Sequence, residues 1–348
     1  MKKLKYTAII GVILFLISID IVYLIRVPDY KIQTNGKLYI VNKRSSTITI
    51  FDLFNGEELS EVPMEITPHE LIAVPCQNKV VVTNYGGPSV VGKSISIINS
   101  KTDKFERNIA LEGSSRPHGI IAFPESNNVG VVTDIGNDLL VVDIETAAVK
   151  KKIPTKQLMS HLLTLHPNKP IAFVTNVVSS SVSVVDLDFN KVLKVIPCGL
   201  GAEGLDITPN GDEVWITNSK ENTISVINTS SLQITHTIPT GKESLRLKFS
   251  IDGVHCFVSN AGDGTVTVYD RNSKKKVHTI VIPGKKNLLE RALYRTPRPV
   301  GVLMHPNGLY AFVSNSNANK IEVIDMRTFT IVSTIGTGKV PDGLAFVE

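Results

Sequence analysis

Phe173-Val174-Thr175-Asn176, followed by Ser181-Val182-Ser183-Val184-Val185-Asp186, is the stretch whose reading decides the fold. The first piece is an apolar run closing on Thr-Asn. The second alternates small polar with β-branched residues, the period-2 mark of a half-buried strand. The same pair is written seven times. The first piece recurs as Ile40-Val41-Asn42, Val82-Thr83-Asn84, Val132-Thr133-Asp134, Ile216-Thr217-Asn218, Val258-Ser259-Asn260 and Val313-Ser314-Asn315. Its terminal residues are spaced 42, 50, 42, 42, 42 and 55 residues apart. A period in the low forties is the size of a four-stranded propeller blade.

Each unit reads as four strands. In the fourth, strand A covers about residues 161–165, B 171–176, C 181–186 and D 192–197. Pro209-Asn210-Gly211, Asp252-Gly253 and Pro306-Asn307-Gly308 supply the backbone angles that tight A-to-B turns need. The chain enters at strand B (Leu38 to Asn42) and leaves with a spare strand A (Gly343 to Val347). The two ends match only if the last strand joins the first blade, which closes a ring and removes two bare sheet edges. The expected fold is all-β: one seven-bladed propeller over residues 38–348, after a linker at 31–37.

The Thr-Asn strand resembles the YVTN-type β-propeller repeat family, over roughly residues 36–348. Phe173-Val-Thr-Asn176 and Val81-Val-Thr-Asn84 come nearest to the four letters, and Tyr39-Ile-Val-Asn42 keeps the tyrosine. The resemblance implies a propeller fold. It leaves function open, because surface-layer proteins and lactonase-like propellers share the pattern.

The first thirty residues differ from the rest. Lys2, Lys3 and Lys5 precede Thr7 to Ile25, an apolar run interrupted only by Ser18 and Asp20. That is enough to cross a hydrocarbon layer as a helix. No small-residue cleavage site follows, so residues 1–30 read as an uncleaved signal-anchor, with secretion after cleavage as the alternative. The basic start places the N-terminus in the cytoplasm and the propeller outside, held to the membrane through residues 7–25. The net charge of +5 is mild and partly spent in this segment, which argues against a nucleic-acid partner. Three widely spaced cysteines give neither a disulfide framework nor a zinc pattern.

Strand A lines the channel of such a ring, so the residue that opens it sits at the channel mouth. Counting back fifteen or sixteen residues from each strand-B terminus gives His69, His118, His161, Glu203, Leu245 and Val300, and the closing strand adds Asp342. Closure makes Asp342, His69, His118, His161 and Glu203 one continuous polar arc facing Leu245 and Val300. His69, His118, His161 and Glu203 are candidate ligands for a divalent metal such as Zn²⁺ or Cu²⁺. The same groups suit acid–base work on a small ligand, or a solvated channel rim with no ligand. Two insertions break the period on the same face. Residues 85–93 lengthen a B-to-C loop, and residues 284–299 carry a candidate short helix and several basic groups. Arg116, Arg246, Arg291, Arg295 and Arg298 are candidates for holding an anion there. The first functional expectation is an extracytoplasmic binding module for a small ligand, glycan or envelope protein. The second is a lactonase-like hydrolase, metal-dependent or acid–base, and the third a structural surface protein.

Overall fold

The computed structural model describes residues 29–284 and 296–348. The expected membrane segment, residues 7–25, lies outside the described residues. Among those described, no helix is long and apolar enough to cross a membrane. Seven antiparallel four-stranded sheets succeed one another, and six of them keep sequence order. The seventh joins the chain ends: the last strand, Pro341–Val347, pairs with the first, Lys37–Asn42. Leu38 lies opposite Phe346, Tyr39 opposite Ala345 and Ile40 opposite Leu344. The closing strand begins at Pro341, so Asp342 belongs to it.

The core lies between the blades. Strands B and C bury nearly every apolar residue, as Ile171–Asn176 and Ser181–Asp186 do in the fourth blade. Strand D is mostly exposed and carries charge, as in Ala148–Pro154 with Lys150, Lys151 and Lys152. Tyr39, Val41, Ile48 and Ile50 of the first blade pack on Leu71, Val80, Val82 and Ile98 of the second. Trp215 is fully buried edge-on to Phe249 of the next blade, with ring centres 5.4 Å apart.

The repeated Thr-Asn has a structural task. The asparagine amide ties strand B to strand C: Asn176 Nδ2 donates to Ser181 Oγ (3.2 Å) and Ser183 Oγ (3.0 Å). Asn218 does the same to Thr223 and Ser225, and Asn260 to Thr265 and Thr267. The preceding hydroxyl holds strand A. Near its start each strand A carries a bulge, with two residues facing one on strand B; Pro68 pairs with Asn84 but Leu71 with Val82. Thr83 fills that gap. Its Oγ1 accepts the Glu70 N–H (3.0 Å) and lies 3.0 Å from the His118 carbonyl in the next blade. Thr175 repeats the arrangement with Leu162 N–H and the Glu203 carbonyl (2.8 Å).

Two sequence expectations change in detail. The insertion at 85–93 is less a loop than an extended hairpin: strands Lys79–Gly86 and Val91–Asn99 run on into it and Gly86 pairs with Val91. The stretch read as a linker, residues 31–37, docks on the ring together with the two residues before it. Lys31 N–H donates to Ser333 Oγ (2.8 Å), Asp29 N–H to Thr334 Oγ1 (2.9 Å) and Tyr30 O–H to the Leu53 carbonyl (2.5 Å).

Candidate functional site

The A strands Pro68–Val74, Pro117–Ala122, Ser160–Leu165, Ala202–Ile207, Ser244–Phe249, Pro299–Met304 and Pro341–Val347 surround the channel. Their second residues are His69, His118, His161, Glu203, Leu245, Val300 and Asp342. The structure brings the polar five together in ring order. Asp342 Oδ2 is 3.4 Å from His69 Nδ1. The His69 and His118 rings are 3.9 Å apart between centres, and those of His118 and His161 3.6 Å. His161 Nε2 is 3.8 Å from Glu203 Oε1. Leu245 and Val300, with Ala261, form an apolar wall opposite.

Other residues complete the mouth. Because of the bulge, the residue after a strand's second position can also turn to the channel. Glu70 and Arg246 occupy it in the second and sixth blades and meet across the axis, Arg246 Nη2 donating to Glu70 Oε1 at 2.8 Å. Glycine stands there in the closing strand: a Cβ on Gly343 would lie 2.8 Å from Glu70 Oε2 and from the His69 carbonyl. Lys43, just after the first strand B, donates to His69 Nε2 (2.7 Å) and pairs with Asp342 (3.0 Å). An ammonium only donates, so His69 Nε2 is an acceptor and the neutral ring carries its proton on Nδ1, toward Asp342. Asp134 lies 3.2 Å from His161 Nδ1 and accepts from Tyr85 O–H at 2.9 Å.

Burial governs the titration of these groups. Removal from water, with Lys43 next in weight, holds His69 well below the usual imidazole range. Removal from water, with the neighbouring His161 and His69, does the same to His118. Burial raises Glu70 more than Arg246 lowers it. Burial also pushes Asp342 up, but Lys43, His69 and Arg246 outweigh it and hold the carboxyl at about 2. Burial followed by Asp134 raises the Tyr85 phenol to about 12. Four carboxyl groups (Glu70, Asp134, Glu203, Asp342) and three basic side chains (Lys43, Arg246, Arg116) surround the three imidazoles. Buried polar atoms are normally paired. His118 Nδ1, His69 Nδ1 and Asp342 Oδ1 are buried with no hydrogen-bond partner among the described residues.

The donors group differently from the sequence expectation. Among the described residues, the groups close enough to one another to share an ion are His69, Glu70 and His118. His161 and Glu203 turn away, toward Asp134 and Arg246. The anion-binding expectation meets arginines already engaged. Arg246 is held by Glu70 and Glu203. Arg116 lies over the Tyr85 ring and donates to the Gly87 carbonyl. Arg298 pairs with Glu243 at 2.7 Å on the surface. Arg291 and Arg295 lie outside the described residues.

Fold and mouth together define a closed seven-bladed β-propeller with a buried polar cluster at one end of its channel. The chain belongs to the family described as Lactonase, 7-bladed beta-propeller, whose model matches residues 28–281. No curated protein matches the sequence. Solved structures share the fold. Hydrazine synthase of Kuenenia stuttgartiensis aligns with a TM-score of 0.68 at 17% identity, covering 80% of this chain and 89% of that one. A functionally unknown protein from Desulfotomaculum acetoxidans DSM 771 aligns with a TM-score of 0.73 at 15% identity, covering 90% and 99%.

Proposed function

We propose that the protein is an extracytoplasmic recognition module, tethered through residues 7–25, whose channel mouth takes a small polar ligand that is neutral or cationic. The observation that carries this reading is His118. Its ring lies at the centre of the cluster, between His69 and His161, and its buried Nδ1 has no partner among the described residues. Such a group gains a hydrogen bond or a coordination bond when a ligand arrives, at no cost to the fold. The four carboxyl groups at the mouth favour a cationic or neutral ligand over an anion, and the rigid ring needs no rearrangement to present the site. The test is thermal denaturation against a panel of neutral sugars and polyamines. Ligands that raise Tm in the wild type should leave His118→Ala unmoved. Equal shifts in both proteins would place binding elsewhere. Fractionation of cells expressing the chain with and without residues 1–28 checks the tether.

A second reading, hydrolysis of a cyclic ester, is favoured by family membership and by imidazoles kept neutral beside carboxylates, as a general base requires. In it His118 would draw a proton from water while Arg246 polarises the ester carbonyl. Neutral γ- and δ-lactones followed by pH-stat distinguish it. Release of acid above the buffer rate, lost in His118→Ala, supports hydrolysis, and a rate equal to buffer rejects it.

A further inference from the structure

We propose that His69, Glu70 and His118 form a site for a divalent transition-metal ion of the zinc class, and that Lys43 is the resident cation the ion must displace. This deepens the reading of the mouth as a small-ligand site and rests on it. Two imidazoles and one carboxylate are a borderline-soft donor set of the kind that binds Zn²⁺ while leaving a coordination position open. Their donor atoms all lie within 4.8 Å of one another, so side-chain adjustment is enough to converge the three on one ion. The set comes from two adjacent blades, His69 and Glu70 both turned inward by the bulge in strand Pro68–Val74 and His118 from strand Pro117–Ala122. An orphaned ring nitrogen points to a ligand independently of that spacing: Nδ1 of His118, buried with no hydrogen-bond partner among the described residues.

The surroundings suit a metal site. Metal-bound imidazoles are usually oriented by a carboxylate on their other nitrogen, and Asp342 stands 3.4 Å from His69 Nδ1. The carboxyl groups of the mouth favour a divalent cation. Lys43 already supplies part of that charge. Its ammonium sits 2.7 Å from His69 Nε2 and 3.0 Å from Asp342. An ion on Nε2 needs the position that the ammonium holds. An ion on Nδ1 moves the ring proton to Nε2, where it would face another donor. Either way Lys43 must leave the ring, and it can do so while keeping Asp342. The lysine and the metal therefore compete.

The experiment is Zn²⁺ titration by calorimetry with metal analysis, on tag-free full-length protein. One Zn²⁺ per chain is expected for the wild type, bound about tenfold more tightly by Lys43→Met and at least about tenfold more weakly by His118→Ala and by Glu70→Gln. His118→Ala removes no side-chain hydrogen bond among the described residues, and circular dichroism with Tm confirms that each variant is folded. Co²⁺ in place of Zn²⁺ should give a visible d–d band that His118→Ala abolishes. Unchanged affinity in Lys43→Met overturns the competition, and full affinity in His118→Ala overturns the site. If Zn²⁺ binds neither wild type nor Lys43→Met while a sugar or polyamine still raises Tm only with His118 present, the metal inference fails and the ligand reading stands. If neither Zn²⁺ nor the panel binds, both fail.

Discussion

Asp134 directly follows its strand B, Asn128–Thr133, at the position where the other six repeats carry asparagine. The usual amide would have nothing to hold in this blade. The residues five and seven further on are Leu139 and Val141, where the blades of Asn42, Asn176, Asn218 and Asn260 offer serine or threonine and the last blade offers Lys320 and Glu322. The carboxylate turns to the mouth instead and joins Tyr85 to His161. Asp134→Asn should therefore disturb the mouth more than the blade. Anionic Asp134 opposes ionisation of the Tyr85 phenol, held at about 12, so its removal should lower that pKa while Tm changes little. Alkaline titration at 295 nm, with Tyr85→Phe to identify the transition, reads this directly; an unmoved transition would mean burial alone sets it. At this scale the sequence was half legible. The five arc residues could be counted out because every strand A opens at a fixed distance from its partner. Glu70 was missed because strand periodicity sends neighbouring side chains to opposite faces, and only a bulge turns both inward. Lys43 was missed because nothing local distinguishes it; its role appears only when closure brings Asp342 beside it.

At the scale of the strand, the threonine of the motif matters as much as the asparagine. A bulge leaves backbone groups without ladder partners, and the hydroxyl supplies them in its own blade and the next. Thr175 serves Leu162 N–H at 3.1 Å and the Glu203 carbonyl at 2.8 Å. It thereby fixes the strand that presents Glu203. Thr175→Val keeps the shape and removes both bonds at a fully buried position. The expected loss is about 1–3 kcal/mol in guanidinium unfolding, at unchanged m-value. A loss below about 0.5 kcal/mol would show that the bulge holds itself. The recurrence of Thr or Ser before the terminal Asn was plain in the sequence. Its purpose was not, since a bulge has no composition of its own and the motif reads equally well as an ordinary strand.

The whole ring was the most legible part, because a period written seven times outweighs any single ambiguous turn, and the unmatched ends of the chain leave one economical pairing. Closure also has an energetic meaning that an open array lacks. In an open array each repeat answers only to its neighbours, whereas a closed ring has no terminal blade from which to unravel. Cys256 can report the difference. It lies fully buried in the strand His255–Asn260 of the sixth blade, among Trp215, Leu247 and Phe249. Burial pushes its thiol well above the usual range, so both access and ionisation protect it. Cys76, in the exposed turn Pro75–Gln77, is an internal reference. Under native conditions at pH 8, iodoacetamide should modify Cys76 promptly and Cys256 only as fast as the structure opens. Removing residues 341–348 deletes the strand that carries Leu344 and Phe346 into the core between the last and first blades. A whole blade separates that seam from Cys256. If closure holds the ring as one unit, labelling of Cys256 should still accelerate by roughly 100-fold, corresponding to about 3 kcal/mol of lost stability. If Cys256 stays as protected as in the intact chain while Tm falls, the blades hold by nearest-neighbour packing alone, and the closing strand serves chiefly to bring Asp342 to His69.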